Sequence, residues 1–196
     1  MANINISLPS RGECLKLLQE HNVPDHVQKH SIRVAQVAED IAIKLIEKGV
    51  AVEIDLVLAA SLLHDIAKMD CLNNGKDHSI EGGNLLSKRG FVELADIVRQ
   101  HVKLDRICLK TNLPAMITNY SDKRVRHHEI VTLEERFDDI RKRYVKTEQD
   151  LERIQQLFEQ TKAVEDLLFG IIDEDPDILS RIAAENLQSW AFFKRS

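Results

Sequence analysis

PDHVQKHSIRVAQVAEDIAIKLIEKG, residues 24–49, is the stretch on which the fold class turns. Val27, His30, Val34, Val37, Ala38, Ile41, Ala42 and Leu45 recur at steps of three and four, the period of one face of an α-helix. Pro24 suits a first helical turn, and Gly49 suits the residue just past the end. The segment therefore reads as a long amphipathic helix whose apolar stripe contains a histidine.

Working outward, the same period predicts helices over 11–21, 53–66, 79–89, 91–102, 114–126, 132–145, 149–170 and 176–193. TLEE at 132–135 has the form of a capping box, which fixes one of these starts. No segment alternates convincingly with the period of a strand. The fold expected is all-α, a helical bundle with additional C-terminal helices. Residues 69–77 (MDCLNNGKD) and 103–113 interrupt the pattern and read as loops, natural walls for a substrate pocket. From about residue 127 the chain is charged and helical, with no linker rich in Gly, Pro or Ser. We read residues 1–196 as one domain, with a core over about 25–126 and a helical cover over about 127–196.

Hydrophobic residues make up 43% of the chain and charged residues 30%, as in ordinary globular proteins. The net charge of −5 argues against general nucleic-acid binding. Three cysteines without CxxC spacing suggest neither a disulfide framework nor a zinc knuckle. There is no signal-peptide pattern and no apolar run near the ~20 residues that span a bilayer. Composition thus predicts a cytoplasmic protein without membrane contact; it leaves the oligomeric state open.

The chemistry begins at residues 59–68, AASLLHDIAK, where an apolar run ends in His64-Asp65. His30 stands in line with Val27, Val34 and Val37, and His101 closes the amphipathic stretch LADIVRQH. A buried ring nitrogen needs a hydrogen-bond partner, and a buried Asp65 would carry a costly unpaired charge. A divalent metal resolves both difficulties. Imidazole with carboxylate suits Fe, Mn, Zn, Co or Ni better than Ca²⁺. Asp122 follows Met116, Ile117 and Tyr120 and could point inward, although a surface aspartate paired with Lys123 or Arg126 is the plainer reading. His26 and His30 lack the intervening glutamate of a metalloprotease helix, and His127-His128 reads as exposed.

In order and in local wording, these residues resemble the HD superfamily of metal-dependent phosphohydrolases, in particular its small HDIG-type members. HSIRVAQVAEDIA resembles the first helix of that family, ASLLHDIAK its namesake dyad and YSDKRV its terminal aspartate segment. HSIEGGNLL and IVRQHV resemble two intermediate histidine motifs of the members with two metals. The likeness covers roughly residues 25–126. It implies an HD-type bundle with His30, His64, Asp65 and Asp122 as ligands of a first divalent ion. It further implies a second ion held by His78 and His101, with Asp65 bridging. Asp65 and Lys68 would be the catalytic pair, with Lys68 and Arg126 meeting substrate phosphate. Lys68 also admits a plain reading as a solvated helix-end lysine, and His78 one as a helix N-terminal residue. For Arg124 and Arg126 two readings stand open, contact with substrate phosphates or pairing with Glu129 and Asp122.

The implied activity is hydrolysis of a phosphate ester or anhydride, of a small phosphorylated molecule such as a nucleotide, by hydroxide generated at the metals. The GYP extension of cyclic di-GMP phosphodiesterases and the Glu-Asp pair of alarmone hydrolases are absent, which leaves the substrate open. The same six-ligand order also resembles HD-fold mixed-valent di-iron oxygenases, the rival reading; a non-catalytic binding domain fits the intact ligand set poorly.

Overall fold

The structure, a computed structural model, describes residues 8–72 and 74–181. The striped segment forms α2, Asp25–Glu47, with Pro24 one residue ahead of it and Gly49 just beyond at φ +81°. Glycine takes that left-handed conformation without a Cβ clash, so the helix stops there and the chain turns back. The next helix, α3, Ile54–Leu63, is buried without interruption from Leu56 to Leu63. A helix that is apolar all round is stable only within a shell of other elements. That shell consists of α1 (Arg11–Glu20), α2, α6 (Val92–Arg99) and α7 (Leu109–Lys123).

Short helices α4 (Lys68–Cys71) and α5 (His78–Lys88) lie between α3 and α6, with α5 packed along α6. The cover consists of α8 (Leu133–Tyr144) and α9 (Glu148–Ile172). Thr132 and Glu135 form the capping box expected from TLEE, and Thr147 with Asp150 form another at the start of α9. Phe137 of α8 meets Phe158 of α9 edge-on at 5.2 Å, and α9 in turn packs on α7 and α2. The buried apolar cluster consequently runs from Cys14 to Leu179. No helix among the described residues is long and apolar enough to cross a membrane.

Four expectations need correction. The first residues of the loop expected at 69–77 belong to the single turn α4. The loop expected at 103–113 is shorter, because α7 begins at Leu109 and carries Pro114 inside it. The amides of Thr111 and Asn112 already bond the Cys108 carbonyl, so the helix is under way before the proline. The helix expected to reach residue 126 ends at Lys123. The chain then makes a two-residue hairpin between β1 (Val125–Arg126) and β2 (Glu129–Ile130), the strand pair that periodicity missed. Such short strands carry too few residues to show a period. Finally, the helix expected at 176–193 opens as a 3-10 turn, Pro176–Ile178, that leads into helical residues 179–181; the rest of it lies outside the described residues.

The hairpin and the cover are tied together by Arg124, a buried arginine. Its Nε donates to the Val131 carbonyl at 2.7 Å, and Nη1 donates to the Tyr120 hydroxyl at 2.6 Å. Nη1 also pairs with Glu165 of α9 at 3.3 Å, while Tyr120 donates to the same carboxylate at 2.6 Å. Arg124 is therefore committed to α9, not to Glu129, Asp122 or a phosphate.

The contact of α5 with α6 depends on Gly83. A Cβ there would stand 2.5 Å from Arg99 Cγ and 2.9 Å from the Ala95 carbonyl oxygen, and the latter is backbone that cannot swing aside. Gly170, on an exposed face of α9, has nothing within 4 Å of its Cβ position. Gly83→Ala should therefore destabilise by about 1–3 kcal/mol, whereas Gly170→Ala should stabilise by about 0.5–1 kcal/mol. Thermal melts check this: the first should fall by roughly 2–12 °C and the second rise by roughly 1–4 °C.

Candidate metal centre

Five chain segments bring their side chains to one point. His30 projects from the second turn of α2, His64 and Asp65 from the turn that ends α3, and His78 from the first residue of α5. His101 follows α6, and Asp122 lies in the last turn of α7. Ring centroids of His30 and His64 are 5.3 Å apart, those of His64 and His101 5.0 Å, and those of His101 and His78 5.0 Å. Asp65 sits in the middle of this row. The ligand atoms of His30, His64 and Asp65 lie within 4.8 Å of one another, and those of Asp65, His78 and His101 do likewise. Asp122 Oδ1 joins the first group, 3.1 Å from His30 Nε2 and 3.7 Å from His64 Nε2.

Hydrogen bonding decides which nitrogens face inward. His30 Nδ1 donates to the His127 carbonyl at 3.0 Å, His64 Nδ1 to that of Ser61 at 2.8 Å, and His101 Nδ1 to that of Val98 at 2.7 Å. A carbonyl oxygen can only accept, so each Nδ1 carries the hydrogen. In the neutral ring every Nε2 then offers a lone pair to the centre. His30 Nε2 points that lone pair at the Asp122 carboxylate, and His101 Nε2 stands 3.1 Å from His78 Nε2. His64 Nε2 is buried with no hydrogen-bond partner. Lone pairs aimed at each other and at carboxylate oxygens are repulsive unless a cation lies among them. The backbone-anchored Nδ1 with Nε2 turned inward is also how metal-binding histidines are oriented. The donor set of imidazoles and carboxylates thus fits divalent transition metals.

The carboxylates carry their own cations. Lys68 Nζ lies 2.6 Å from Asp65 Oδ2, and Lys123 Nζ lies 2.7 Å from Asp122 Oδ2. Burial pushes both carboxyl groups up, but the surrounding charge wins. His64 and Lys68 hold Asp65, and Lys123 with His30 and His64 hold Asp122, well below the usual carboxylate range. Burial alone would lower His64, yet Asp65 and Asp122 raise it overall; the field that favours a proton on Nε2 favours a metal cation there as well. Burial pulls His101 down to about 4, which keeps it neutral and able to ligate near pH 7.

All six side chains expected as ligands meet here, and Lys68 reaches Asp65. Arg126 does not join them: it stands on β1 and pairs with exposed Glu129 at 3.4 Å. The pairing of Asp122 with Lys123 is present, but both residues are buried rather than on the surface. The sequence reading passed over three contributors. Lys123, its side chain 6% exposed, donates to the His101 carbonyl at 3.0 Å as well as to Asp122. Asn119 donates to the same carbonyl at 2.9 Å, one turn earlier on α7. His127 acts through its backbone carbonyl, held in place by a positive φ of 57°. A helical plot of α7 puts Asn119 and Lys123 on one face, a signal that gains meaning only once His101 is known to pack there.

Lys123 therefore links the two halves of the centre. Lys123→Met keeps the aliphatic length and removes the ammonium. We expect an unchanged helical circular dichroism spectrum and roughly 10–100-fold weaker metal binding in competition with a chromophoric chelator, the range for partners that orient metal ligands. Undiminished affinity would show that the bridge does not orient the ligands.

Comparison with known proteins agrees with this geometry. The sequence model of the HD domain matches residues 27–153. An uncharacterized protein of Methanocaldococcus jannaschii is 33% identical over 79 residues, which are 40% of this chain and 46% of that one. A tRNA (cytidine(56)-2'-O)-methyltransferase of Thermoplasma volcanium is 30% identical over 96 residues, 48% of this chain and 26% of that one. The chain thus spans less than half the length of these curated relatives. No solved structure gives a significant match. With a histidine and aspartate cluster of this form inside the matched region, the chain belongs to the HD domain family, a superfamily of metal-dependent phosphohydrolases.

Proposed function

We propose that this protein hydrolyses a phosphate ester or anhydride of a small molecule, with two divalent transition-metal ions held by His30, His64, Asp65, His78, His101 and Asp122. The observation that carries the reading is the position of Asp65. One buried carboxylate lies between two histidine groups, with Oδ2 3.4 Å from His64 Nε2 and Oδ1 3.4 Å from His78 Nε2. Bound there, a pair of such ions brings water towards deprotonation near pH 7 and draws charge from phosphoryl oxygens. Asp65 would hold the two positions at a fixed separation. Lys68, its side chain 36% exposed, stands where the centre meets solvent, and its ammonium suits the charge that develops on a phosphoryl group. His78, 29% exposed, opens on the same side. That fixed cation beside the centre favours phosphate chemistry over the oxygenase alternative. Charge balance supports this: Lys68 and Lys123 offset Asp65 and Asp122, so bound ions leave the centre strongly positive, a setting for an anionic substrate.

Asp65→Asn tests the reading. An amide cannot supply negative charge to two ions, so metal content should fall and phosphate release from a nucleotide panel should drop by at least ~10²-fold, since even outer partners are worth ~10–100-fold. Circular dichroism should stay native-like, because a core of this size does not need metal to fold. The assay is run with and without oxygen. Phosphate release without oxygen supports hydrolysis; an oxygen-requiring activity that frees no phosphate would replace it with the oxygenase reading.

A further inference from the structure

Between α6 and α7, residues 101–108 form neither helix nor strand, and among the described residues 102–107 make no backbone–backbone hydrogen bond. Side-chain amides hold this strap instead. Gln160 of α9 accepts from the Leu104 N–H through Oε1 and donates to the Leu104 carbonyl through Nε2, both at 3.0 Å. Gln100 Oε1 accepts from the Asp105 N–H at 3.2 Å. Asn112 Nδ2 donates to the Arg106 carbonyl at 2.7 Å and to Gln100 Oε1 at 2.9 Å. Of residues 102–106 only Leu104 is buried. Cavities of about 670 and 380 Å³ flank the strap, and both reach Asp105 and Arg99. Packing is sparse here, so these hydrogen bonds decide where the strap lies.

The strap begins at His101, and the smaller cavity beside it is also lined by Asp77 and Ser79, the residues on either side of His78. It thus runs along the half of the centre in which His101 Nε2 and His78 Nε2 stand 3.1 Å apart. The ligands of the other half, His30, His64 and Asp122, make no hydrogen bond to residues 102–106 among the described residues. Resting on the two-ion reading of the centre, we propose that Gln160 is a positioning residue for the second metal ion. By pinning Leu104 it fixes the strap, and with it the place from which the His101 imidazole faces His78. Asn119 and Lys123 hold the near end of the strap at the His101 carbonyl, and Gln160 holds the far end. An amide suits this task because it presents one donor and one acceptor side by side, satisfying both backbone groups of a buried residue at once. The pairing crosses 56 residues of sequence, so the second ion depends on a helix outside the core over 25–126.

The test is titration of the metal-free full chain with Co²⁺, followed by visible absorption and calorimetry, which together count the ions and rank their affinities. Gln160→Met keeps the length of the side chain and loses both hydrogen bonds; Gln160→Ala, a second helix-compatible change, also loses the stem. Each should leave one ion as tightly bound as before and weaken the other roughly tenfold or more, within the range for partners that orient metal ligands. In a His78→Ala background, which removes a ligand of the second ion, Gln160→Met should leave the affinity of the remaining ion unchanged. Phe158→Leu, which disturbs the packing of α9 on α8 without touching the strap, should lower the melting temperature and shift neither affinity. Equal weakening of both ions, no weakening, an effect that persists in the His78→Ala background, or the same loss in Phe158→Leu would each overturn the assignment. The underlying reading fails differently. A single ion in the unmodified protein refutes the two-ion centre and Gln160 with it. Two ions, one of them dependent on Gln160, without any phosphate release in turnover assays refute hydrolysis and leave Gln160 in its role.

Discussion

Asp65 is a carboxylate buried among imidazoles, and the remainder of the architecture answers to that placement. A buried negative charge is tolerated only where opposite charge and hydrogen bonds surround it. Here Lys68 approaches one oxygen at 2.6 Å, while His78 and His101 face the other at 3.4 and 3.7 Å. These groups come from the start of α4, the start of α5 and the end of α6, and Asp65 itself from the turn that ends α3. Each helix in that region terminates where it must in order to present a side chain at its tip. The apolar character of α3 on all sides allows its end to lie so deep, and the backbone carbonyls freed at helix ends receive the Nδ1 hydrogens of His64 and His101.

A second constraint is charge balance across the two halves. Asp122 and His101 belong to different ligand groups, yet Lys123 holds the outer oxygen of one and the carbonyl of the other. Asn119 reinforces that grip one turn away, and the buried group of Arg124, Tyr120 and Glu165 fixes the same helix to α9. Displacement of α7 would therefore disturb both halves at once. The C-terminal helices are linked to the centre through this helix and through the hairpin, whose His127 carbonyl orients His30. They also cover the core, with α9 packed on α7 and α2.

The sequence determined the all-α class, most helix positions and the identity of the six candidate ligands. The helical period of 24–49, the capping box at 132 and the burial implied for His30, His64 and His101 are local patterns, and local patterns are legible in one dimension. Tertiary structure alone decided the rest. Arg124 and Arg126 look alike in the string DKRVR, but one is buried against Glu165 of α9 and the other stands outside with Glu129. Lys123 looks like a solvent-facing neighbour of Asp122 until α7 packs beside His101. The hairpin at 125–130 is too short for a period to form, and it matters because a backbone carbonyl, which every residue possesses, is its contribution to the site. Contacts of this kind depend on which chain segments are adjacent after folding, across separations of 97 residues for His30 and His127 and 41 for Arg124 and Glu165. No spacing rule within the sequence encodes such distances; the packing of α7 between the core and α9 sets them.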